Sequence, residues 1–168
     1  MKNTVLAALT LIAVSSVPAA YAHGDKAGKD DHNANMEVVK EQKPWGIAGD
    51  AGQVSRTIDV SMLDSMTFVP SMLNIKQGET VRFTAKNDGQ VLHEFVLGTT
   101  ETNDEHAEMM LKFPGMEHDE PYMTHVSAGG QGEIIWTFNR AGEFDFACLI
   151  AGHYQAGMKG TISVESDS

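Results

Sequence analysis

The sequence contains very little cysteine, since Cys148 is the only one among its 168 residues. Exported proteins usually use cysteines in pairs as disulfides, and a lone cysteine cannot form a disulfide within its own chain. A fold held together by internal disulfides is therefore excluded. Two interpretations of Cys148 remain, a buried inert thiol and a functional thiolate, and its neighbours in the sequence decide between them.

Long hydrophobic runs are also missing. An apolar run over residues 5–14 follows the positive Lys2 and is too short to span a bilayer. It is followed by Ala20-Tyr21-Ala22, the small-x-small pattern that signal peptidase cuts. We therefore expect residues 1–22 to be a signal peptide and the mature protein to begin at His23. The mature protein is then periplasmic, with no membrane insertion.

Positive charge is scarce. The sequence has 12 lysines and arginines against 23 aspartates and glutamates, which gives a formal net charge of -11. Removal of a leader containing Lys2 would make the remainder one unit more negative. A surface this acidic argues against nucleic acids and anionic membranes as partners. It favours basic partner proteins or cationic ligands.

A long helical periodicity is absent from most of the chain, which is long enough for one ordinary domain. Residues 23–53 are polar and have little to bury, so we expect a mobile N-terminal arm, with Trp45 packing onto the domain. From residue 54 to residue 168, short stretches with alternating apolar residues are separated by glycine turns. This pattern predicts an all-β sandwich.

One segment interrupts the strand pattern. Residues 99–130 form a long insertion that is rich in methionine and histidine. Within it, residues 105–112 are compatible with a short helix capped by Thr102 or Asn103, and the rest has the composition of a loop. A loop this long in a small domain is usually functional or disordered.

Cys148 lies in a motif with strong chemical meaning. It begins a Cys-x4-His-x4-Met run that continues through His153 and Met158, and His93 lies 55 residues before it on a predicted strand. Two imidazoles, a thiolate and a weak axial thioether are the ligands of a type 1 copper site. Gly152 and Gly157 would allow the backbone to turn tightly around the ion. The motif therefore favours a ligating thiolate over an inert thiol.

Several sequence stretches carry a resemblance to the cupredoxin family, which includes plastocyanin, azurin, pseudoazurin and rusticyanin. They lie within residues 56–165 and are Phe68-x-Pro70-x-x-Leu73-x-Ile75, Leu92-His93-Glu94-Phe95, Phe144-x-Phe146-x-Cys148 and Gly157-Met158-x-Gly160. The resemblance implies a cupredoxin-like Greek-key β-sandwich. It also implies that copper is bound by His93, Cys148, His153 and Met158.

Within that family, the spacing of the last three ligands is similar to that of rusticyanin. The combination of a signal peptide, a histidine-bearing arm and a Met/His-rich insertion resembles the periplasmic copper-tolerance cupredoxins of the CopI type. The sequence departs from better-known members at Glu94, where azurin has asparagine. It also departs at Ile150, which keeps an N–H in a loop that has no proline. We expect the Glu94 side chain to point away while both N–H groups reach the Cys148 sulfur and tune the copper.

A second copper-binding surface is a further hypothesis. Thioethers suit Cu(I) and imidazoles suit copper in both oxidation states. The insertion and the arm both contain such side chains, and a free amine beside the imidazole of His23 would form a Cu(II) chelate. The candidates are Met109, Met110, Met116, His118, Met123, His125, His23, His32 and Met36. Solvated loop residues and packing methionines are the alternative interpretation.

Three functions fit these observations. The first is a monomeric periplasmic protein that binds copper, exchanges electrons with a redox partner and contributes to copper tolerance. The second is a dedicated electron carrier of a respiratory or photosynthetic chain, and the third is a non-redox copper buffer or chaperone. An enzyme is disfavoured, because a site with four protein ligands leaves no open position for a substrate.

Overall fold

A computed structural model of the chain describes residues 40–116 and 118–166. These residues form two five-stranded sheets and one α-helix. The strands of the first sheet, in spatial order, are β1 (Ile47–Ala48), β8 (Gln131–Thr137), β5 (Thr80–Asn87), β2 (Arg56–Leu63) and β3 (Thr67–Val69). Those of the second sheet are β4 (Met72–Lys76), β10 (Lys159–Glu165), β9 (Gly142–Ala147), β6 (His93–Gly98) and β7 (Met123–Val126).

The strand order mixes parallel and antiparallel neighbours. β2 pairs with β5 and β4 pairs with β10 in parallel, whereas the other neighbours are antiparallel. Because the chain crosses repeatedly between the sheets, residues far apart in the sequence become neighbours at one end of the sandwich. The all-β sandwich predicted from the alternating pattern is confirmed.

The core between the sheets is aromatic. Phe68 and Phe146 pack edge to face with ring centroids 5.0 Å apart, and Phe95 lies 5.2 Å from Phe146 and 5.4 Å from Phe83. Such pairs add about 0.5–1.5 kcal/mol each beyond the burial of their area. Phe95 follows His93 by two residues and Phe146 precedes Cys148 by two, so this packing fixes both strands directly beneath the predicted ligands.

Part of the segment assigned to the arm packs with the sheets. Trp45 is buried, as expected, and its carbonyl accepts a hydrogen bond of 2.9 Å from the Trp136 indole. β1 pairs with the end of β8, and a short 3-10 helix (Ala51–Gln53) leads into β2. The folded unit therefore includes residues 43–53, because Trp45 brings enough apolar surface to hold this polar stretch in place.

The insertion is more regular than its composition suggested. Helix α1 (Thr100–Lys112) begins five residues earlier than expected, with Thr99 as its N-cap. The Thr99 hydroxyl accepts a hydrogen bond from the Thr102 N–H, and the Thr102 hydroxyl accepts one from the Thr99 N–H. Thr102 is thus the third-position partner of a capping box and not the cap itself. Strand β7 also lies in the stretch that we expected to be loop.

Candidate metal centre

Three potential metal ligands converge at one end of the sandwich. The Cys148 sulfur and one ring nitrogen each from His93 and His153 all lie within 4.8 Å of one another. Cys148 and His93 are buried, and His153 is half-buried. The structure therefore brings together three of the four residues named from the motif, and Met158 lies beside them.

Strand pairing places His93 next to Cys148. β6 and β9 are antiparallel neighbours, with Val96 opposite Ala147. His93 is the first residue of β6, and Cys148 comes directly after the end of β9. The two side chains therefore meet where the pairing of the two strands ends, although 55 residues separate them in the sequence.

The two ring nitrogens of His93 have different surroundings. Its Nε2 lies 3.2 Å from Oδ1 of Asp64, whereas its Nδ1 is buried and has no hydrogen-bond partner among the described residues. A carboxylate next to Nε2 favours the tautomer with the proton there and leaves a lone pair on Nδ1. A buried nitrogen without a partner is costly in a folded protein, and a metal ion would supply that partner.

Asp64 also holds the segment that leads into β6. Its carboxylate accepts hydrogen bonds from the N–H groups of Gln90 (2.8 Å) and Val91 (3.4 Å). These bonds, the one from Gln90 above all, lower the pKa of Asp64, and His93 lowers it further. Asn87, which is buried, donates from its amide to the carbonyls of Val91 and Val126. The approach to His93 is therefore fixed from two sides.

The ligand loop, residues 149–158, turns back on itself. The Cys148 N–H donates to the Met158 carbonyl at 3.0 Å, and the Met158 N–H donates to the His153 carbonyl at 3.1 Å. Gly152 and Gly157 have φ angles of +93° and +95°. Positive φ angles of this size favour glycine over residues with a Cβ. They agree with the tight turns that the sequence motif predicted at these two glycines. Met158 is fully buried at the base of the loop.

The surroundings of His153 favour its neutral imidazole form. Its Nδ1 lies 3.3 Å from the Cys148 sulfur. Burial lowers the pKa of His153, and the neighbouring His93 lowers it further. A metal competes only with a proton at this nitrogen, so a lowered pKa leaves the lone pair available over a wider pH range.

Cys148 is surrounded by groups that act on its sulfur. Burial raises the pKa of its thiol to about 12, while the backbone N–H groups of Glu94 and Ile150 oppose the rise. The Glu94 N–H donates to the sulfur at 3.3 Å, as the sequence predicted. The thiol is therefore protonated at neutral pH without a metal, and a cation is needed to stabilise the thiolate.

The side chain of Glu94 does not point into solvent. It is buried, accepts a hydrogen bond from the Leu149 N–H at 3.1 Å, and pairs with Nε2 of His125 at 2.8 Å. Burial raises the pKa of this carboxyl, and His125 is the main group that opposes the rise. Glu94 thus connects the ligand loop to β7, and its own backbone touches the sulfur.

The donor set fits copper. One thiolate and two imidazoles close together, with the buried Met158 bonded through its backbone to Cys148 and His153, match the soft and borderline ligands that copper prefers in both oxidation states. The unpartnered Nδ1 of His93 and the 3.3 Å approach of His153 Nδ1 to the sulfur are the structural signs that an ion would complete the site.

The sequence matches the family model described as copper binding proteins, plastocyanin/azurin family, over residues 53–165. The chain belongs to this family. It is 44% identical over 166 residues to the copper-resistant cuproprotein CopI of Rubrivivax gelatinosus. This match covers 98% of this chain and 99% of the relative. It is 37% identical over 150 residues to the protein of the same name from Pseudomonas aeruginosa. That match covers 72% of this chain and 82% of the relative.

A solved structure of auracyanin B has the same fold. Its TM-score is 0.59 at 22% identity, and the match covers 71% of this chain and 94% of that chain. The chain is thus a cupredoxin of the CopI type, and copper is its cofactor. Both the resemblance and the cofactor inferred from the sequence are confirmed.

The residues predicted to form a second copper-binding surface do not all lie together. Met110, Met116, His118 and His125 line one cavity beside the candidate centre. Met123 packs into a core cluster with Val96, Ala107, Ala147 and Leu149, and Met109 is exposed on α1. His23, His32 and Met36, together with residues 1–22, lie outside the described residues. Among the residues that the structure describes, no helix is long and apolar enough to cross a membrane.

Three residues near these sites were not singled out from the sequence. Asp64 follows β2 and Asn87 ends β5, and polar residues are common at such positions. Nothing in the local sequence pattern therefore distinguishes them as parts of a site. His106 lies on α1 with its ring centroid 4.8 Å from that of His118. Its four-residue separation from Met110 was a usable signal, because residues at that spacing share a helix face.

Proposed function

We propose that His93, Cys148, His153 and Met158 bind one copper ion as a type 1 centre. The observation that supports this assignment most directly is the convergence of three ligand atoms within 4.8 Å around an unpartnered imidazole nitrogen. In this proposal the two imidazoles bind through Nδ1, and Met158, held by its backbone next to both Cys148 and His153, supplies the axial thioether. Copper bound there supplies a one-electron Cu(II)/Cu(I) couple.

We propose further that electrons enter and leave through His153. His93 is fully buried, whereas His153 is half-buried in the ligand loop and offers a ring edge near the surface. Leu92, next to His93 in the sequence, is 46% exposed and gives this end of the molecule an apolar contact for a partner. The strongly acidic composition favours a basic redox partner.

The physiological role that we propose is copper tolerance in the periplasm, following export by a signal peptide. The relatives from R. gelatinosus and P. aeruginosa are named copper-resistant cuproproteins, and this chain matches the first of them over nearly its whole length. In this proposal the protein is not an enzyme, because the four ligands leave no place for a substrate.

The type 1 assignment is tested by absorption and EPR spectra of the copper-loaded protein beside Cys148→Ser. We expect an intense thiolate-to-copper band and a narrow copper hyperfine splitting in the wild type, and neither in the variant. Met158→Leu should alter the spectrum. The matched control Met72→Leu, at a methionine that is 76% exposed on β4, should not. A weak Cu(II) spectrum that is the same in the wild type and Cys148→Ser would contradict the assignment.

A non-redox copper buffer is the alternative that the Met/His cavity favours. A role of the type 1 centre and buffering by the cavity separate in a strain that lacks the protein and is challenged with copper. If the type 1 centre is needed, the wild type restores growth and Cys148→Ser does not. Full rescue by Cys148→Ser, at equal protein levels, would instead support a buffer.

A further inference from the structure

The cavity beside the candidate centre has an unusual lining. It has a volume of about 550 Å³ and opens between the end of α1, the segment that follows α1, and β7. Its walls include two thioethers and two imidazoles, from Met110, Met116, His118 and His125. Leu92 and Ile150 add apolar surface on the side of the type 1 ligands.

His118 is under-satisfied in this cavity. Its Nδ1 is buried and has no hydrogen-bond partner among the residues that the structure describes. Buried polar atoms are nearly always paired, so this nitrogen is a candidate ligand for a cation in the cavity. His118 therefore offers the same structural sign as His93 does in the type 1 centre.

A second imidazole lies against the first. The rings of His106 and His118 have centroids 4.8 Å apart. Burial lowers the pKa of His106, and His118 and His125 lower it further. Two imidazoles this close offer two nitrogen ligands that one cation could share.

Helix geometry adds sulfur to this pair. His106 and Met110 are four residues apart on α1 and therefore lie on the same face. Met110 is 5% exposed, although it lies at the cavity wall, whereas its neighbour Met109 is 46% exposed and absent from the lining. Met123 is packed among apolar side chains in the core. Of the methionines in the insertion, Met110 and Met116 therefore line the cavity, whereas Met109 and Met123 do not.

We propose that this cavity binds a second copper ion, with His106 and His118 as nitrogen ligands and the thioethers of Met110 and Met116 as sulfur ligands. The ion is Cu(I), because thioethers prefer the soft monovalent state and the apolar wall disfavours a second positive charge. His125 is left out of the proposed ligand set, because its Nε2 pairs with the buried Glu94 and its Nδ1 lies 4.0 Å from the carboxylate of Asp119. The proposal does not depend on the ligands assigned to the type 1 centre.

The test uses the full mature chain with Cys148→Ser, so that the type 1 thiolate is absent. Cu(I) is titrated anaerobically in competition with a chromogenic chelator, and the variants are compared in this background. We expect His118→Asn, and the pair Met110→Leu with Met116→Leu, to weaken binding of one equivalent by about tenfold or more. Met109→Leu and Met72→Leu are the matched controls, because they remove thioethers outside the cavity, and they should leave the affinity unchanged.

An NMR titration with Ag(I), a diamagnetic substitute for Cu(I), locates the ion independently of affinity. We expect shifts of the His106 and His118 ring signals and of the Met110 and Met116 methyl signals. Unchanged affinity in the cavity variants, with circular dichroism confirming that they fold, would overturn the proposal. Shifts confined to His23, His32 and Met36 would also overturn it. Neither outcome would affect the type 1 assignment, which is read from the visible band of the wild type.

Discussion

Asp64 acts on the candidate centre from outside the ligand set. Its carboxylate lies 3.2 Å from His93 Nε2, and it also accepts hydrogen bonds from the two N–H groups that lead toward β6. A negative charge at this distance orients the imidazole and makes its other nitrogen a better donor to a metal. It also stabilises the more positive oxidation state of a bound ion more than the less positive one.

We predict that Asp64→Asn raises the reduction potential of the copper-loaded protein. Asparagine keeps an oxygen that can accept the backbone hydrogen bonds but loses the charge. The expected shift is below about 59 mV, which equals a tenfold change in a one-electron equilibrium, because the Asp64 carboxylate is partly exposed and its charge is screened by solvent. A spectroelectrochemical titration measures it.

Asp59→Asn is the matched control for this prediction. Asp59 lies on β2, the strand that Asp64 follows, and pairs with Lys86 at 3.5 Å on the surface. Its removal changes the net charge equally without touching His93. Equal shifts in the two variants would mean that only overall charge matters, and would contradict a specific role for Asp64.

At the scale of elements, helix α1 is joined to the ligand loop. The Tyr154 hydroxyl donates to Asp104 Oδ1 at 2.6 Å, and the Lys159 ammonium lies 4.7 Å from the centre of the Tyr154 ring. Tyr154 is the residue after His153, so its contacts with α1 restrict how far this side of the loop can move. The loop's own backbone bonds hold Cys148, His153 and Met158 in their relative places.

We predict that Tyr154→Phe lowers the free energy of unfolding by about 1 kcal/mol and leaves the visible copper spectrum unchanged. The lost hydrogen bond lies between two elements, whereas the ligands keep their backbone contacts. Denaturant unfolding of the copper-free protein measures the first effect, and absorption of the loaded protein measures the second.

A double-mutant cycle with Asp104→Ala assigns the effect to this pair. If the two groups interact as the structure indicates, the loss in the double variant should be smaller than the sum of the single losses. Additive losses would show that the hydroxyl and the carboxylate act independently. A changed copper spectrum in Tyr154→Phe would show that α1 helps to position the ligands.

At the scale of the whole molecule, the proposed ligation by Cys148 would link copper binding to folding through a proton. Burial raises the pKa of the Cys148 thiol from 9.0 to about 12 in the copper-free protein. The folded copper-free state therefore prefers the neutral thiol. This contribution to stability is fully present below pH 9.0 and is lost as the pH rises toward about 12.

We predict that copper raises the melting temperature, and that the gain grows with pH. If Cys148 is a ligand as proposed, binding displaces the thiol proton, so each pH unit between about 7 and about 9 adds about 1.4 kcal/mol to the binding free energy for each proton released. Calorimetry of the copper-free and copper-loaded forms across this range measures the effect. Cys148→Ser is the control, because its hydroxyl stays protonated in both forms. An equal pH dependence in this variant would mean that other groups release the proton.

Much about this protein was determined by local sequence alone. The alternation of apolar residues predicted the β-sandwich, because the period of a strand depends only on neighbours two positions apart. The candidate motif around Cys148 and the glycines at positive φ were also predictable, since three of the proposed ligands come from one short loop. His93 was predictable only together with this motif and the family resemblance, because an isolated histidine on a strand has no distinguishing pattern.

Only the tertiary structure decided which of the remaining polar and sulfur side chains meet. Asp64 reaches His93 and Glu94 reaches His125 because strands distant in the sequence are packed side by side, and no local spacing encodes such contacts. The same packing buried Met123, exposed Met109 and brought His106 against His118. Composition identified a Met/His-rich insertion, but α1, β7 and the segment between them selected the members that line one cavity, because each element turns only one face toward it.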